Sequence, residues 1–229
     1  MKKYLGLLLI LLIPALGACK LEHSSRIKQS QLAGEIKTVE ATVRVEVPSC
    51  THYQDKTKPS EELVKTNNLM KSLFPDSEFE GCKNENMNSM ASYIAPMEVG
   101  TLPPDVKDFE PKGVSIVRNQ SGVVFFCLSK DIRAKIADGR KKTMSKDLTL
   151  DVNIRFTNDT DAEAKVFPYA VYVSGTPFAG VPSWGNNVVI KPKGVETFTL
   201  SNVASDFAII NGIVPVFNEP VPAPDGEKK

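Results

Sequence analysis

The chain holds 229 residues, with 28 Lys and Arg against 27 Asp and Glu, a formal net charge of +1. That balance supplies neither the basic face that nucleic acid requires nor an acidic block, so no nucleic-acid partner is expected. Two histidines leave too few ligands for an ordinary zinc site. Lys2 and Lys3 open the chain, and an apolar run from Leu5 to Leu16 follows, interrupted by Gly6 and Pro14. The run is shorter than the roughly 20 residues that span a bilayer. It has the make-up of a secretory signal, expected over residues 1–18.

The run ends in Leu16-Gly17-Ala18-Cys19, which resembles the bacterial lipobox. The resemblance implies cleavage before Cys19, a diacylglycerol on its thiol and acylation of the new amine. Two or three acyl chains, at about 0.8 kcal/mol per buried methylene, would anchor the protein permanently. The competing reading is a plain signal with an incidental cysteine. Position +2 is Lys20, not the Asp that resembles an inner-membrane retention signal in enteric-type bacteria, which implies the outer membrane. Without Lys2 and Lys3 the count is 28 − 2 = 26 basic against 27 acidic, a net charge of −1.

Residues 19–34 read as the lipidated cysteine and a flexible polar tether holding His23, Ser24, Ser25 and Gln29. TVEATVRVEV then alternates, with Val39, Ala41, Val43, Val45 and Val47 on one side, which predicts a half-buried strand. Ser60 opens a helix with Glu61 and Glu62 in its first turn, an apolar stripe of Leu63, Met70, Leu73 and Phe74, and Pro75 at its end. A strand is expected over Met90–Val99, and the prolines of TLPPDVKDFEPKG mark a loop. Val114–Val117 and Val123–Leu128 read as a hairpin around RNQSG. Ser129 caps a short helix that carries Ile132 and Ile136 and ends at Gly139, and the polar GRKKTMSK separates two subdomains.

LTLDVNIRF alternates again, TNDTDAEAK is a turn, and VFPYAVYV returns as one strand. Val188–Ile190 and Glu196–Leu200 flank Pro192-Lys193-Gly194 as a second hairpin. Ser205–Asn211 reads as a short helix stopped by Gly212, Ile213–Phe217 as a last strand, and EPVPAPDGEKK as a Pro-rich tail. The expected fold is a β-rich α+β arrangement of antiparallel sheets, with eight or nine strands and about three short helices. Its parts are an N-terminal subdomain over 35–139, a sandwich-like subdomain over 140–218 and the tail over 219–229.

In an exported chain disulfides persist. Cys50 and Cys82 are the expected pair, worth about 3 kcal/mol in the chain-entropy model, although spacing alone leaves other pairings open. Cys127, inside VVFFCLS, reads as a buried free thiol.

Catalytic patterns are sparse. His23 in the tether and His52 in a loop read as solvated, and no G-x-S-x-G elbow occurs. Ser25-Arg26-Ile27-Lys28 matches S-x-x-K without its companion motifs and reads as chance. Asp159, Asp161 and Glu163 alternate in NDTDAE, but Ala164 and Ala170 stand where a calcium loop starting at Asp159 needs Gly and Glu, so a polar turn is the better reading. No catalytic residue, metal or cofactor is expected. Trp184, the single tryptophan, sits in the loop AGVPSWGNN and is the candidate partner contact; the alternative is that it folds back over a sheet edge.

The lipobox, a strand ending in VEVPSC, the Lys-Pro-Ser helix start, a second cysteine, a hairpin and the Asn-Asp-Thr turn together resemble a family of small lipoproteins encoded by phages and prophages. The family carries no established activity, so the resemblance transfers no functional residues. It implies a phage or prophage origin and action on the envelope, one such role being superinfection exclusion. The anchor, tether, disulfide and sparse catalytic patterns add the expectation of a lipid-anchored protein with a non-enzymatic binding domain and an outer-membrane protein as partner. An envelope enzyme or enzyme inhibitor acting on cell wall or glycan is the alternative, and a structural envelope component a third.

Overall fold

The alternation in TVEATVRVEV is realised as a strand over Lys37–Val47 whose Ala41, Val43 and Val47 are buried while Glu40, Thr42, Arg44 and Glu46 face outward. The computed structural model describes residues 20–85, 88–102, 109–142, 149–178 and 187–219. The expected signal over 1–18, Cys19, Trp184, the end of the polar separator and the Pro-rich tail beyond Glu219 lie outside those residues.

In chain order the elements are β1 (Lys20–Lys28), α1 (Gln29–Leu32), β2 (Lys37–Val47), α2 (Glu61–Leu73), β3 (Glu78–Glu85), β4 (Asn88–Thr101), β5 (Val114–Arg118), β6 (Val123–Leu128) and α3 (Lys130–Lys142). Then follow β7 (Thr149–Thr157), β8 (Ala164–Pro168), β9 (Val171–Val173), β10 (Thr176–Phe178), β11 (Val188–Ile190), β12 (Val195–Leu200), α4 (Asn202–Asn211) and β13 (Ile213–Asn218). The strands join in one mixed sheet, ordered β10-β9-β12-β7-β1-β2-β4-β5-β6-β13-β8-β11, with β3 paired to β4. The fold is β-rich α+β, as expected.

Several expectations are corrected. Residues 20–28 are not a tether but a central strand. β1 pairs antiparallel with β2 through Leu21↔Val45 and parallel with β7 through Lys20↔Thr149 to Lys28↔Thr157. β4 and β5 are also parallel, so the sheet is not purely antiparallel. Strand pairing crosses the expected boundary between residues 35–139 and 140–218, since β13 pairs with β6. VFPYAVYV is two strands: Ala170 takes a positive φ of 47°, which turns β9 away to β12 while β8 pairs with β13 and β11. Val188–Ile190 and Glu196–Leu200 do not form a hairpin, since β11 joins β8 and β12 joins β7 and β9.

The sheet curls until strands far apart in its order meet through their inward side chains. Phe156 of β7 and Phe198 of β12 lie 5.3 and 4.6 Å from Phe217 of β13, ring centre to ring centre, all three fully buried. Burying such a ring stabilises by about 1.5–3 kcal/mol, and edge-on or offset ring pairs add about 0.5–1.5 kcal/mol. A second, smaller apolar layer of Leu102, Val117 and Cys127 covers the outer side of β5 and β6.

The pairings define two ends. At one, the base, β1, β7 and β13 begin and β6 and β12 finish. There α3 leaves β6 for β7, and α4 leaves β12 for β13, packing on β7, β13 and β6. At the other end, the rim, β1 runs into α1, β5 meets β6, β7 turns to β8, and β13 ends. Helix starts follow local chemistry: Ser60 Oγ accepts from the Leu63 N–H at 3.1 Å, and Ser201 Oγ from the Ala204 N–H at 3.2 Å. Gly212 ends α4 at φ 84°, where a side chain would be strained.

The Cys50–Cys82 disulfide is formed, with Cα atoms 5.5 Å apart, and ties the end of β2 to β3. Cys127 is a buried free thiol whose pKa burial pushes up to about 12.

Candidate functional site

At the rim, four chain segments converge on a cleft of about 560 Å³, lined by Gln29, Arg118, Thr160, Glu163, Lys165 and Glu219 among others. Each segment arrives for a local reason. β1 ends where the Gln31 side chain accepts the Lys28 N–H at 2.7 Å, starting α1. The β5–β6 turn is closed by Asn119 Oδ1, which accepts from the Ser121 and Val123 N–H groups at 3.1 and 2.8 Å. Gly122, at φ 90°, lets the end of β13 lie against that turn; a Cβ there would sit 1.9 Å from the Glu219 carbonyl oxygen. Glu219 N–H donates to the Gly122 carbonyl at 2.9 Å, which fixes Glu219 over the cleft.

Asn158 locks the acidic turn. It is fully buried and its Nδ2 donates to the carbonyls of Ala162, Ile190 and Lys191 at 2.7, 2.9 and 3.2 Å. Its Oδ1 accepts from the Thr160 N–H and hydroxyl. The neighbouring carboxylates are committed to protein partners rather than turned together toward an ion. Asp159 accepts from the Ser30 hydroxyl at 2.5 Å and the Ser30 N–H at 3.0 Å, and Asp161 pairs with Lys193 at 3.1 Å. The Ser30 hydroxyl above all holds Asp159 below the usual carboxylate range, with slight burial pulling the other way.

The polar centre of the cleft is Glu219, which is buried, accepts from Gln29 Nε2 and lies 3.9 Å from Arg118 Nε. Around it Gln29 Oε1, Arg118 Nε and Asn218 Oδ1 are buried and have no hydrogen-bond partner among the described residues. Orphaned buried polar atoms cost free energy unless a ligand or water meets them. Of these, Gln29 Oε1 and Arg118 Nε belong to residues that line the cleft; one acceptor and one donor, beside one cation–carboxylate pair, suit a polar ligand with its own donors and acceptors.

On the outer sheet face a second concavity is lined by Ser24, Arg26, Thr42, Asn153, Arg155 and Thr197. Arg26 and Arg155 stand opposite each other in register. Like charges so placed repel, and an anion would relieve them.

Sequence reasoning placed none of the cleft's central residues. Gln29 falls in the expected tether, Glu219 in the expected tail, and Arg118 is the last residue before a turn. The usable signal was RNQSG, whose turn chemistry puts Arg118 at a strand end. His23, read as solvated, is the opposite: it points inward from β1, is only 3% exposed and lies 5.6 Å from the Phe126 ring. Burial lowers its pKa to about 4, so it stays neutral. Ser25 is buried beside it on the inner face while Lys28 is exposed, so the S-x-x-K residues do not meet. His52 stacks on the exposed Tyr53 in the loop after Cys50, as expected of a loop residue.

A family model described as a domain of unknown function, DUF7424, matches residues 22–222. The chain belongs to that family. Its matched span takes in β1, the rim cleft and the base helices together, so the whole curled sheet is the family's unit. No curated protein and no solved structure matches the chain. No helix among the described residues is long and apolar enough to cross a membrane.

Proposed function

We propose that the protein is a lipid-anchored lipoprotein of the bacterial outer membrane, of phage or prophage origin, which binds an envelope partner without transforming it and so excludes a second infecting phage. The observation that carries this reading is the junction of lipobox and fold. Cys19 is one peptide bond from Lys20, where β1 begins, and β1 lies in the centre of the sheet. An acyl anchor on Cys19 would hold the base toward the lipid and present the rim, with its unpaired polar atoms, to a partner.

The test is phage plating on host cells that express the protein, with Cys19→Ser as control. Lower plating of some phages with wild type, restored by Cys19→Ser, is the expected result. Normal plating across a broad panel, with the wild-type protein acylated and in the outer membrane, would overturn exclusion.

One observation favours a second reading, an enzyme of the envelope. Glu163 and Glu219 line the same cleft, as a carboxylate pair for glycan hydrolysis would. Release of soluble fragments from cell wall by the purified protein, lost in Glu163→Gln, would select that reading.

A further inference from the structure

α4 has an apolar side that the described residues leave uncovered. Its buried positions are Ala204, Ser205, Ala208 and Ile209, facing the sheet. Val203, Phe207 and Ile210, spaced four and three residues apart, form a stripe on the opposite side and are 78, 50 and 71% exposed. Three large apolar side chains in one exposed helical stripe mark an interaction surface rather than scattered surface residues.

What covers the stripe follows from its place. α4 connects the base ends of β12 and β13 and packs on β7, the strand beside β1. Thr199 of β12 pairs with Asn153 of β7, so the chain runs on toward the start of β7 as α4 begins; Lys20 pairs with Thr149 at that same start. The stripe and the first residue of β1 are therefore at the same end of the molecule. Cys19 precedes Lys20 directly, and adjacent Cα atoms are about 3.8 Å apart. An anchor on Cys19 leaves no slack to hold this end away from lipid.

Charge points the same way. α4 holds one charged residue, Asp206, and Arg140 of α3 neutralises it at 2.7 Å. α3 lies alongside, with Arg133 donating to the Ile210 carbonyl at 2.9 Å, and its sequence KDIRAKIADGRKK carries six basic residues against two acidic. An apolar helical stripe beside a basic helix is the make-up of an element lying in a bilayer interface with anionic headgroups.

We propose that the α4 stripe of Val203, Phe207 and Ile210 seats in the anionic bilayer surface and fixes the domain upright on the membrane, base down and rim outward. This rests on the acyl anchor at Cys19 proposed above.

The test uses the full-length protein, purified from its host and reconstituted in phosphatidylethanolamine–phosphatidylglycerol vesicles whose acyl chains carry bromine. Two reporters are made in a Trp184→Phe background: Phe207→Trp on α4 and Asp161→Trp on the exposed acidic turn of the rim. Acylation is read separately, from the mass of the N-terminal peptide. An interfacial helix buries its apolar side about 5–10 Å into the headgroup boundary, so bromine should quench the α4 reporter roughly twofold and leave the rim reporter unchanged.

Acylated protein with an unquenched α4 reporter overturns the seating and leaves the anchor standing. Quenching at α4 in protein that carries no lipid sustains the seating and removes the anchor. Loss of both removes both. Equal quenching at the two positions overturns the upright orientation. A dimer in detergent, broken by Phe207→Asp, with no quenching at α4, assigns the stripe to a second copy instead.

Discussion

At the base, α4 lays Ala204, Ala208 and Ile209 on the sheet and turns Val203, Phe207 and Ile210 outward; at the rim, Asn158, Arg118 and Glu219 hold the chain by polar bonds. The base closes by apolar burial, which is non-directional and tolerant of exchange. The rim closes by hydrogen bonds from buried groups, each of which fails sharply if one partner is removed. On the reading proposed above, lipid would meet the base and a protein or glycan surface the rim.

The sharpest way to break this contrast is Asn158→Ala. It leaves the Ala162, Ile190 and Lys191 carbonyls unmet and should cost about 3 kcal/mol or more in urea unfolding. Amide exchange should quicken over residues 159–163 and not in α4. Equal quickening in α4 would show that the two ends open as one unit.

Between the ends, His23 makes stability depend on acid. Its folded pKa of about 4 lies below its ordinary 6.5. The unfolded chain therefore binds a proton that the folded one refuses, and stability falls as pH drops from 6.5 toward 4. A shift of that size is worth about 3 kcal/mol. His23→Leu should remove most of this slope in denaturant titrations at pH 7 and pH 4.5. Asp159, held below its ordinary 3.8, gives way only at lower pH and leaves that window alone.

Arg118→Met leaves the buried Glu219 carboxylate without its cation and should cost about 2 kcal/mol, less than a fully enclosed pair because Arg118 is partly exposed. Adding Glu219→Gln should restore much of it, read by thermal melting. The smallest effect belongs to the base: Val203→Ser, Phe207→Ser and Ile210→Ser together should change detergent-phase stability by within about 0.5 kcal/mol. A larger loss would place the stripe in the core of the fold rather than at a surface.

Much of the sheet was legible because its strands alternate strictly. LTLDVNIRF buries Leu150, Val152, Ile154 and Phe156 as its pattern predicts. Ser60, Ser129 and Gly212 stand where helix ends need them. β1 was illegible for a physical reason: between Leu21 and Ile27 its inward positions are His23 and Ser25, so KLEHSSRIK shows no apolar alternation. Its place in the sheet depends on β7, and its inward face on residues such as Phe126, both far away in sequence and absent from any local pattern. The cleft was hidden for the same reason. Its residues come from both ends of the chain, Gln29 and Glu219 being 190 positions apart.

β1 has one near partner and one distant one. β2 follows within a few residues, but β7 begins at Thr149, so the parallel edge of β1 waits for a loop of over a hundred residues to close. Contacts so far apart in sequence form late. In a chain threaded outward from its N-terminus, the stretch beside Cys19 stays unpaired on one edge until β7 has emerged. Were Cys19 acylated as proposed above, the modifying enzyme would meet it in that interval, on a chain whose first strand is still open along one edge.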